Sequence, residues 1–168
     1  MKLKGKVHIF GDDVDTDAII PGAYLKTTDV YELASHCMAG IDEDFPKRVN
    51  EGDLIVAGEN FGCGSSREQA PISIKYCGIK AIVAESFARI FYRNCINIGL
   101  IPIVCKGIKK HVEDGYTIEI DLENEEIKIE DTEGTIIKKI KCSAPKGLAC
   151  DILSAGGLVN YAKQKELK

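Results

Sequence analysis

The chain has 168 residues, of which 22 are Lys or Arg and 26 are Asp or Glu, so its formal net charge is −4. That length suits one domain with its own hydrophobic core. The two signs of charge are interspersed, whereas nucleic acids and anionic membranes are bound by concentrated basic surfaces. We therefore expect neither as a partner, and no apolar window approaches the roughly 20 residues of a membrane span.

Seven cysteines are scattered along the chain, and no two of them are two or three residues apart. This spacing does not suit a metal or iron–sulfur site held by this chain alone. The odd number also argues against a secreted disulfide framework. We predict that the cysteines are buried packing residues, that the protein is cytoplasmic, and that this chain holds no metal.

The first third of the chain predicts few regular elements. Residues 3–10 alternate weakly and predict a strand, and residues 12–22 predict an Asp-rich loop. Asp29 is placed to cap a short helix over about 30–38. Residues 40–53 are polar and predict a connection rich in turns.

The middle of the chain alternates short apolar runs with helical patterns. The predicted elements are a strand at 54–57, a helix at about 66–77, a strand at 81–84, a helix at about 87–97 and a strand at 101–105. This order is typical of parallel βαβ units, whose sites lie at the carboxyl ends of the strands.

The last third changes character. Three alternating stretches over residues 116–141 predict a small antiparallel meander, and helices follow at 148–154 and near 158–165. The fold class predicted for the whole chain is α/β, with a mainly parallel core sheet flanked by helices and a small antiparallel β addition.

One glycine-rich loop carries the clearest chemical signal: Asn60-Phe-Gly-Cys-Gly-Ser-Ser-Arg-Glu-Gln-Ala-Pro71. Ser65-Ser-Arg-Glu68 fits a capping box at the start of the predicted helix. Free amides at a helix start bind anions, and Arg67 adds a planar fork that matches a carboxylate. The loop lacks the endings of phosphate-binding and dinucleotide-binding motifs, so a small carboxylate is the better ligand.

Ser65 is a candidate base in this loop. A free serine is a poor base, and its alkoxide needs stabilisation by amides, a helix start or a cation. The three histidines are distant in sequence and no Gly-x-Ser-x-Gly elbow is present, which disfavours a Ser-His-Asp hydrolase.

Two further motifs are less specific. Asp12-Asp-Val-Asp-Thr-Asp17 reads as a solvated acidic turn, and it lacks the continuation of an EF-hand loop. In Ser86–Asn94, Arg89 and Arg93 are four residues apart and predict one charged helix face, which could add charge to a nearby anion site.

Together, residues 11–21, 60–70 and 85–94 resemble the small subunits of isopropylmalate isomerases, a family that includes homoaconitase small subunits and the swivelling domain of aconitase. The resemblance covers nearly the whole chain and implies a single swivelling-type domain over residues 1–168. It also implies a hydro-lyase, active only with a large subunit that carries a [4Fe–4S] cluster, in which water leaves and adds back on the neighbouring carbon.

The resemblance also implies roles for residues. Ser65 matches the serine that removes the proton α to a carboxylate, Arg67 matches the arginine that grips a substrate carboxylate, and Asp17 matches an acidic residue that supports the site. Residues expected to bind substrate are Gly64, Ser66, Lys26, Thr27 and Thr28.

Lys26 does not decide between the possible substrates. Isopropylmalate enzymes tend to carry an apolar residue there and homoaconitases an Arg. A cation favours a distal carboxylate, but a Lys stem also lies along apolar surfaces. We expect 3-isopropylmalate dehydratase of leucine biosynthesis first, and homoaconitase or another 2-substituted malate hydro-lyase as the alternative. Two other classes of function are a carboxylate-binding module without catalysis and a thiol-based redox or metal protein. Separately, the isolated small subunit could form a homo-oligomer.

Overall fold

In the computed structural model, which describes residues 1–167, seven strands form one sheet. In chain order they are β1 (Lys2–Ile9), β2 (Leu54–Ala57), β3 (Ala81–Ala84), β4 (Ile101–Val104), β5 (Thr117–Asp121), β6 (Glu126–Glu130) and β7 (Ile136–Lys141). Their order across the sheet is β4-β3-β2-β1-β5-β6-β7. Strands β1 to β4 are parallel, and β5 to β7 join as antiparallel neighbours. The predicted parallel core with an antiparallel addition is confirmed.

The burial of the strands explains their sequence patterns. Every residue of β2 and β3 is buried, because both faces of the parallel part are covered, and such strands are apolar throughout. Strands β5 and β6 bury alternate residues, because only one of their faces packs on the core. Pro102 is tolerated in β4 because that strand lies at the edge of the sheet.

Helices cover the sheet. Within residues 1–167 they are α1 (Thr16–Ile19), α2 (Val30–Ser35), α3 (Phe45–Arg48), α4 (Gln69–Tyr76), α5 (Arg89–Ile98), α6 (Leu148–Ser154) and α7 (Leu158–Glu166), with 3-10 turns at Gly22–Tyr24 and Ile108–His111. Side chains of α1 to α5 pack with Ile55 and Ala57 on one face of the sheet. The meander packs with Leu54 and Val56 on the other face. None of these helices is long and apolar enough to cross a bilayer.

Two of the helices, α1 and α3, lie in segments that the sequence predicted as loops. A four-residue helix has no stability of its own, so α1 depends on partners outside it. Asp15 accepts a hydrogen bond from the Ala18 amide at 2.7 Å. The amides of Met38 and Gly40 donate to the carbonyls of Ile19 and Ala18 at 2.7 and 2.9 Å. Asp15 is the local N-cap of α1, but Met38 and Gly40 come from a distant segment, which local sequence patterns do not reveal.

The cysteines divide by burial. Four are buried as predicted: Cys37, Cys95, Cys105 and Cys142. Cys63 and Cys77 are half-buried, and Cys150 is exposed. The packing prediction is therefore wrong for Cys150, an exposed residue of α6.

Candidate active site

Three loops meet beyond the carboxyl ends of β1, β2 and β3. The Asp13 amide donates to the Glu59 carbonyl at 2.8 Å, and the Gly62 amide donates to the Val14 carbonyl at 2.7 Å. The Phe61 amide donates to the Ser86 carbonyl at 3.1 Å. Backbone hydrogen bonds thus bring the Asp-rich loop, the glycine-rich loop and the segment before α5 together at the edge where parallel sheets place their sites.

The glycine-rich loop approaches α5 very closely. Gly62 has φ +83°, and a Cβ at this position would lie 2.1 Å from Cγ of Phe91. Phe91 is buried, with only 3% of the residue exposed. Both the left-handed backbone and the absence of a side chain are therefore required at Gly62.

Residues 65–67 do not form the first turn of a helix. Helix α4 begins at Gln69, and its N-cap Glu68 makes no side-chain capping bond. The predicted capping box is wrong, because the Ser65 carbonyl accepts a hydrogen bond from Thr16 Oγ1 at 2.7 Å and Arg67 turns towards α1. Ser65 is therefore not an N-cap, and no helix starts at Ser66. The expectation that a helix start there stabilises a Ser65 alkoxide is wrong for the same reason.

Arg67 is held along one side of its guanidinium. Its Nη1 donates to Oδ1 of Asp17 at 3.0 Å and to the Ile20 carbonyl at 3.2 Å. Within residues 1–167, Nη2 and Nε donate no hydrogen bond. The Arg67 side chain is 24% exposed and that of Asp17 is 69% exposed. One edge of the fork is thus free for a bidentate carboxylate, while Asp17 and Ile20 fix its direction.

A shallow cavity of about 200 Å³ opens beside this arginine. Of the predicted site residues, Gly64, Ser66 and Arg67 line it, and Ser65 and Asp17 do not. Ser65 is exposed next to it.

Seven lining residues were not predicted as site residues, and three of these have polar side chains: Thr16, Arg89 and Asn94. Arg89 belongs to the predicted charged helix face, although Arg93 does not line the cavity. Thr16 stands among the aspartates of its motif, and no local pattern distinguishes it.

The segment predicted to select the substrate lies between the turn at Gly22–Tyr24 and α2. Lys26 and Thr28 are exposed, and the half-buried Thr27 accepts a hydrogen bond from the Asp29 amide at 3.0 Å. The Tyr24 ring stacks on His36 with centroids 3.7 Å apart, which anchors the start of the segment. Over the described residues, no hydrogen bond joins Lys26, Thr27 or Thr28 to residues 65–67.

The thiol of Cys63 lies within the glycine-rich loop. Burial, and then the carboxylates of Asp15 and Asp13, raise the pKa of this thiol above its ordinary value. The neutral thiol is therefore favoured, which suits neither a nucleophile nor a metal ligand. In the part of the chain that the structure describes, no three His, Cys, Asp or Glu side chains are grouped so that they could hold a metal ion.

A larger cavity, of about 830 Å³, lies beside His8 and Arg48, and Gly11 at the start of the Asp-rich motif also lines it. None of the predicted site residues lines it. His8 Nε2 donates to Asp53 Oδ2 at 2.8 Å.

Comparisons with known proteins identify the family. Residues 2–107 match the aconitase C-terminal domain family. The chain is 68% identical over 167 residues to the methanogen homoaconitase small subunit of Methanocaldococcus jannaschii, covering 99% of this chain and 95% of the relative. It is 53% identical over 163 residues to the isopropylmalate/citramalate isomerase small subunit of the same organism, covering 97% and 95%.

A solved structure is equally similar. The crystal structure of a 3-isopropylmalate dehydratase from M. jannaschii matches with a TM-score of 0.92 and 68% identity, over 99% of this chain and 96% of that one. The three motif loops, their meeting at the sheet edge and these matches lead to one conclusion: the chain belongs to the aconitase C-terminal domain family, among the small subunits of its hydro-lyases.

Proposed function

We propose that this chain is the small subunit of a hydro-lyase and that it supplies a base and a carboxylate-binding cation to a site completed by a large subunit. The observation that carries this proposal is the guanidinium of Arg67, which is near the exposed Ser65 in the same loop. Its Nη1 donates to Asp17 and Ile20, while its Nε and Nη2 donate to no described residue. A preoriented cation next to a hydroxyl suits proton abstraction α to a carboxylate.

In this mechanism the Ser65 alkoxide takes the α proton. The electrons of the C–H bond form a carbon–carbon double bond as the C–O bond of the adjacent carbon breaks, and the departing hydroxide takes a proton from an acid of the large subunit to leave as water. Addition of water in the opposite sense gives the isomer. Negative charge builds on the carboxylate during proton abstraction, so a bidentate bond from Arg67 strengthens in the transition state.

The partner supplies the remaining parts. We assign the [4Fe–4S] cluster to the large subunit, because the cysteines of this chain are scattered and the pKa of the loop thiol Cys63 is raised. The open cavity next to Arg67, with Gly64 and Ser66 on its wall, is the surface that would meet the partner. We further propose that the chain acts as a single swivelling-type domain in the cytoplasm.

The substrate would be a small di- or tricarboxylate. 3-Isopropylmalate is the first candidate, supported by the names of two of the three proteins compared above. A homoaconitase-type tricarboxylate is the second, and a specific observation favours it. Lys26 is exposed and forms no ion pair with any described residue, so its ammonium is free to meet a distal carboxylate. The two matches at 68% identity carry different names, so identity does not choose between the candidates.

Reconstitution with a cluster-bearing large subunit tests the role of Ser65. We expect Ser65→Ala to lower kcat by about 10³-fold, within the range of general-base catalysis, while assembly is unchanged. Ser35→Ala is the matched control, since Ser35 is an exposed serine on α2. Near-normal turnover by Ser65→Ala would show that the base is another group.

A substrate panel on the same reconstituted pair tests the substrate class. If the substrate is a tricarboxylate, Lys26→Val loses activity on homoaconitate and gains it on isopropylmalate. If the substrate is isopropylmalate, the substitution leaves or improves activity on it. Calorimetry of the isolated chain with both acids tests the binding-module class, which requires tight binding without the partner.

A further inference from the structure

Thr16 is a buried residue that joins two motifs. It is the first residue of α1 and only 2% exposed. Its amide donates to the Cys63 carbonyl at 2.9 Å, and its Oγ1 donates to the Ser65 carbonyl at 2.7 Å. One side chain of the Asp-rich loop thus reaches the backbone of the candidate base, 49 positions along the chain.

The backbone around Ser65 has little other support. Among residues 1–167, the amides of Ser65, Ser66 and Arg67 donate no hydrogen bond. The Thr16 contact is the one hydrogen bond that the described chain makes to the backbone of Ser65 or Ser66. Arg67 is held through its side chain, by Asp17 of the same short helix and by the carbonyl of Ile20, the residue that follows the helix.

The Ser65 hydroxyl must meet a carbon-bound proton at a fixed distance and angle. Reacting atoms have to be about 3–3.5 Å apart, and a displacement of about 1 Å costs about 10²-fold in rate. An irregular exposed segment does not hold a hydroxyl that closely without an anchor. The anchors available are Thr16 for Ser65 and Asp17 for Arg67.

We infer that Thr16 is a positioning residue that fixes Ser65 for proton abstraction through its hydroxyl bond to the Ser65 carbonyl. This inference rests on the proposed function for its catalytic consequence. Helix α1 then orients both groups, the base Ser65 through Thr16 and the carboxylate-binding Arg67 through Asp17. Because the two contacts are separate, loss of the Thr16 hydroxyl affects chemistry more than substrate binding.

The test compares Thr16→Val, which keeps the shape and removes the hydroxyl, with Thr16→Ser, which keeps the hydroxyl. In the reconstituted pair we expect Thr16→Val to lower kcat by about 10²-fold with KM changed less than about threefold. Thr16→Ser should recover most of kcat. If valine prevents folding, Thr16→Ala against Thr16→Ser gives the same comparison with two smaller side chains.

Limited proteolysis of the full chain alone supplies a readout that needs no partner. Trypsin cuts after Arg67 only when this segment opens, so we expect cleavage there to be about tenfold faster in Thr16→Val than in wild type, and normal in Thr16→Ser. Ser73→Ala is the matched control. It removes a buried hydroxyl bond of the same length, 2.7 Å to the Ala70 carbonyl, from the body of α4.

The outcomes separate the two proposals. The positioning role is overturned if Thr16→Val and Thr16→Ser have equal kcat or are cleaved equally fast at Arg67. It is also overturned if Thr16→Val is cleaved no faster than Ser73→Ala. Faster cleavage with an unchanged kcat overturns it as well. Normal turnover by Ser65→Ala instead refutes the base assignment, whatever the Thr16 variants do.

Discussion

Gly62 is the position where the loop of the candidate base depends most on a missing side chain. We predict that Gly62→Ala destabilises the protein far more than Gly134→Ala. Both glycines have φ +83°, so both substitutions place an alanine in the left-handed region. A Cβ on Gly62 would lie 2.1 Å from Cγ of Phe91, whereas a Cβ on Gly134 would meet nothing within 4 Å.

The shared backbone penalty is about 1 kcal/mol. At Gly62 the clash adds to it, because Phe91 is only 3% exposed and its ring has no free space to enter. Moving the ring out of contact loses most of the burial free energy of a phenylalanine, about 2–3 kcal/mol. We therefore expect a loss of about 3–4 kcal/mol for Gly62→Ala and about 1 kcal/mol for Gly134→Ala.

Urea unfolding at equilibrium, followed by circular dichroism, measures both losses as shifts of the midpoint at constant slope. In a thermal scan the corresponding changes are about 6–16 °C and about 2–4 °C for a chain of this size. Equal losses in the two variants would refute the reasoning, since they would mean that the loop does not lie against Phe91.

Two further predictions concern other parts of the molecule. Alkylation by iodoacetamide, followed by peptide mass spectrometry, should modify the exposed Cys150 before Cys63, because the raised pKa of the Cys63 thiol lowers its thiolate fraction near neutral pH. Labelling of Cys63 should rise with pH. Faster labelling of Cys63 than of Cys150 would contradict this prediction. Asp53→Ala should lower the free energy of unfolding by about 3 kcal/mol, because one oxygen of this buried carboxylate accepts hydrogen bonds from His8 Nε2 at 2.8 Å and from the Asn50 amide at 2.9 Å. The control Asp44→Ala, at an exposed aspartate, should change it by less than about 0.5 kcal/mol. Similar losses in the two variants would refute a stabilising role for the hydrogen bonds of Asp53.

The regular elements were largely predictable because their causes are local. The apolar runs of β2 and β3 and the alternation in β5 and β6 follow directly from whether two faces or one are buried. Asp29 caps α2 as its position predicted, through bonds to the amides of Tyr31 and Glu32. The fold class and the meeting of the motif loops at the sheet edge follow from that order of elements.

The local structure of the candidate site was less predictable. Ser65-Ser-Arg-Glu68 has the residue types of a capping box, and a helix starting near Ser66 was the natural expectation. The chain instead directs the Ser65 carbonyl to Thr16 and the Arg67 side chain to Asp17, and α4 begins only at Gln69. The helix α1 that supplies both contacts was itself expected to be loop.

The sequence alone thus determined the α/β fold, the chemistry-bearing residues and their resemblance to one family, since these depend on residue type and spacing along the chain. Only the tertiary structure decided which edge of the Arg67 guanidinium is free and what holds Ser65. Those contacts join residues 49 and 50 positions apart, and they outweigh the local capping preference. A hydrogen bond between distant segments forms only once the sheet has brought their loops together, so no local pattern encodes it.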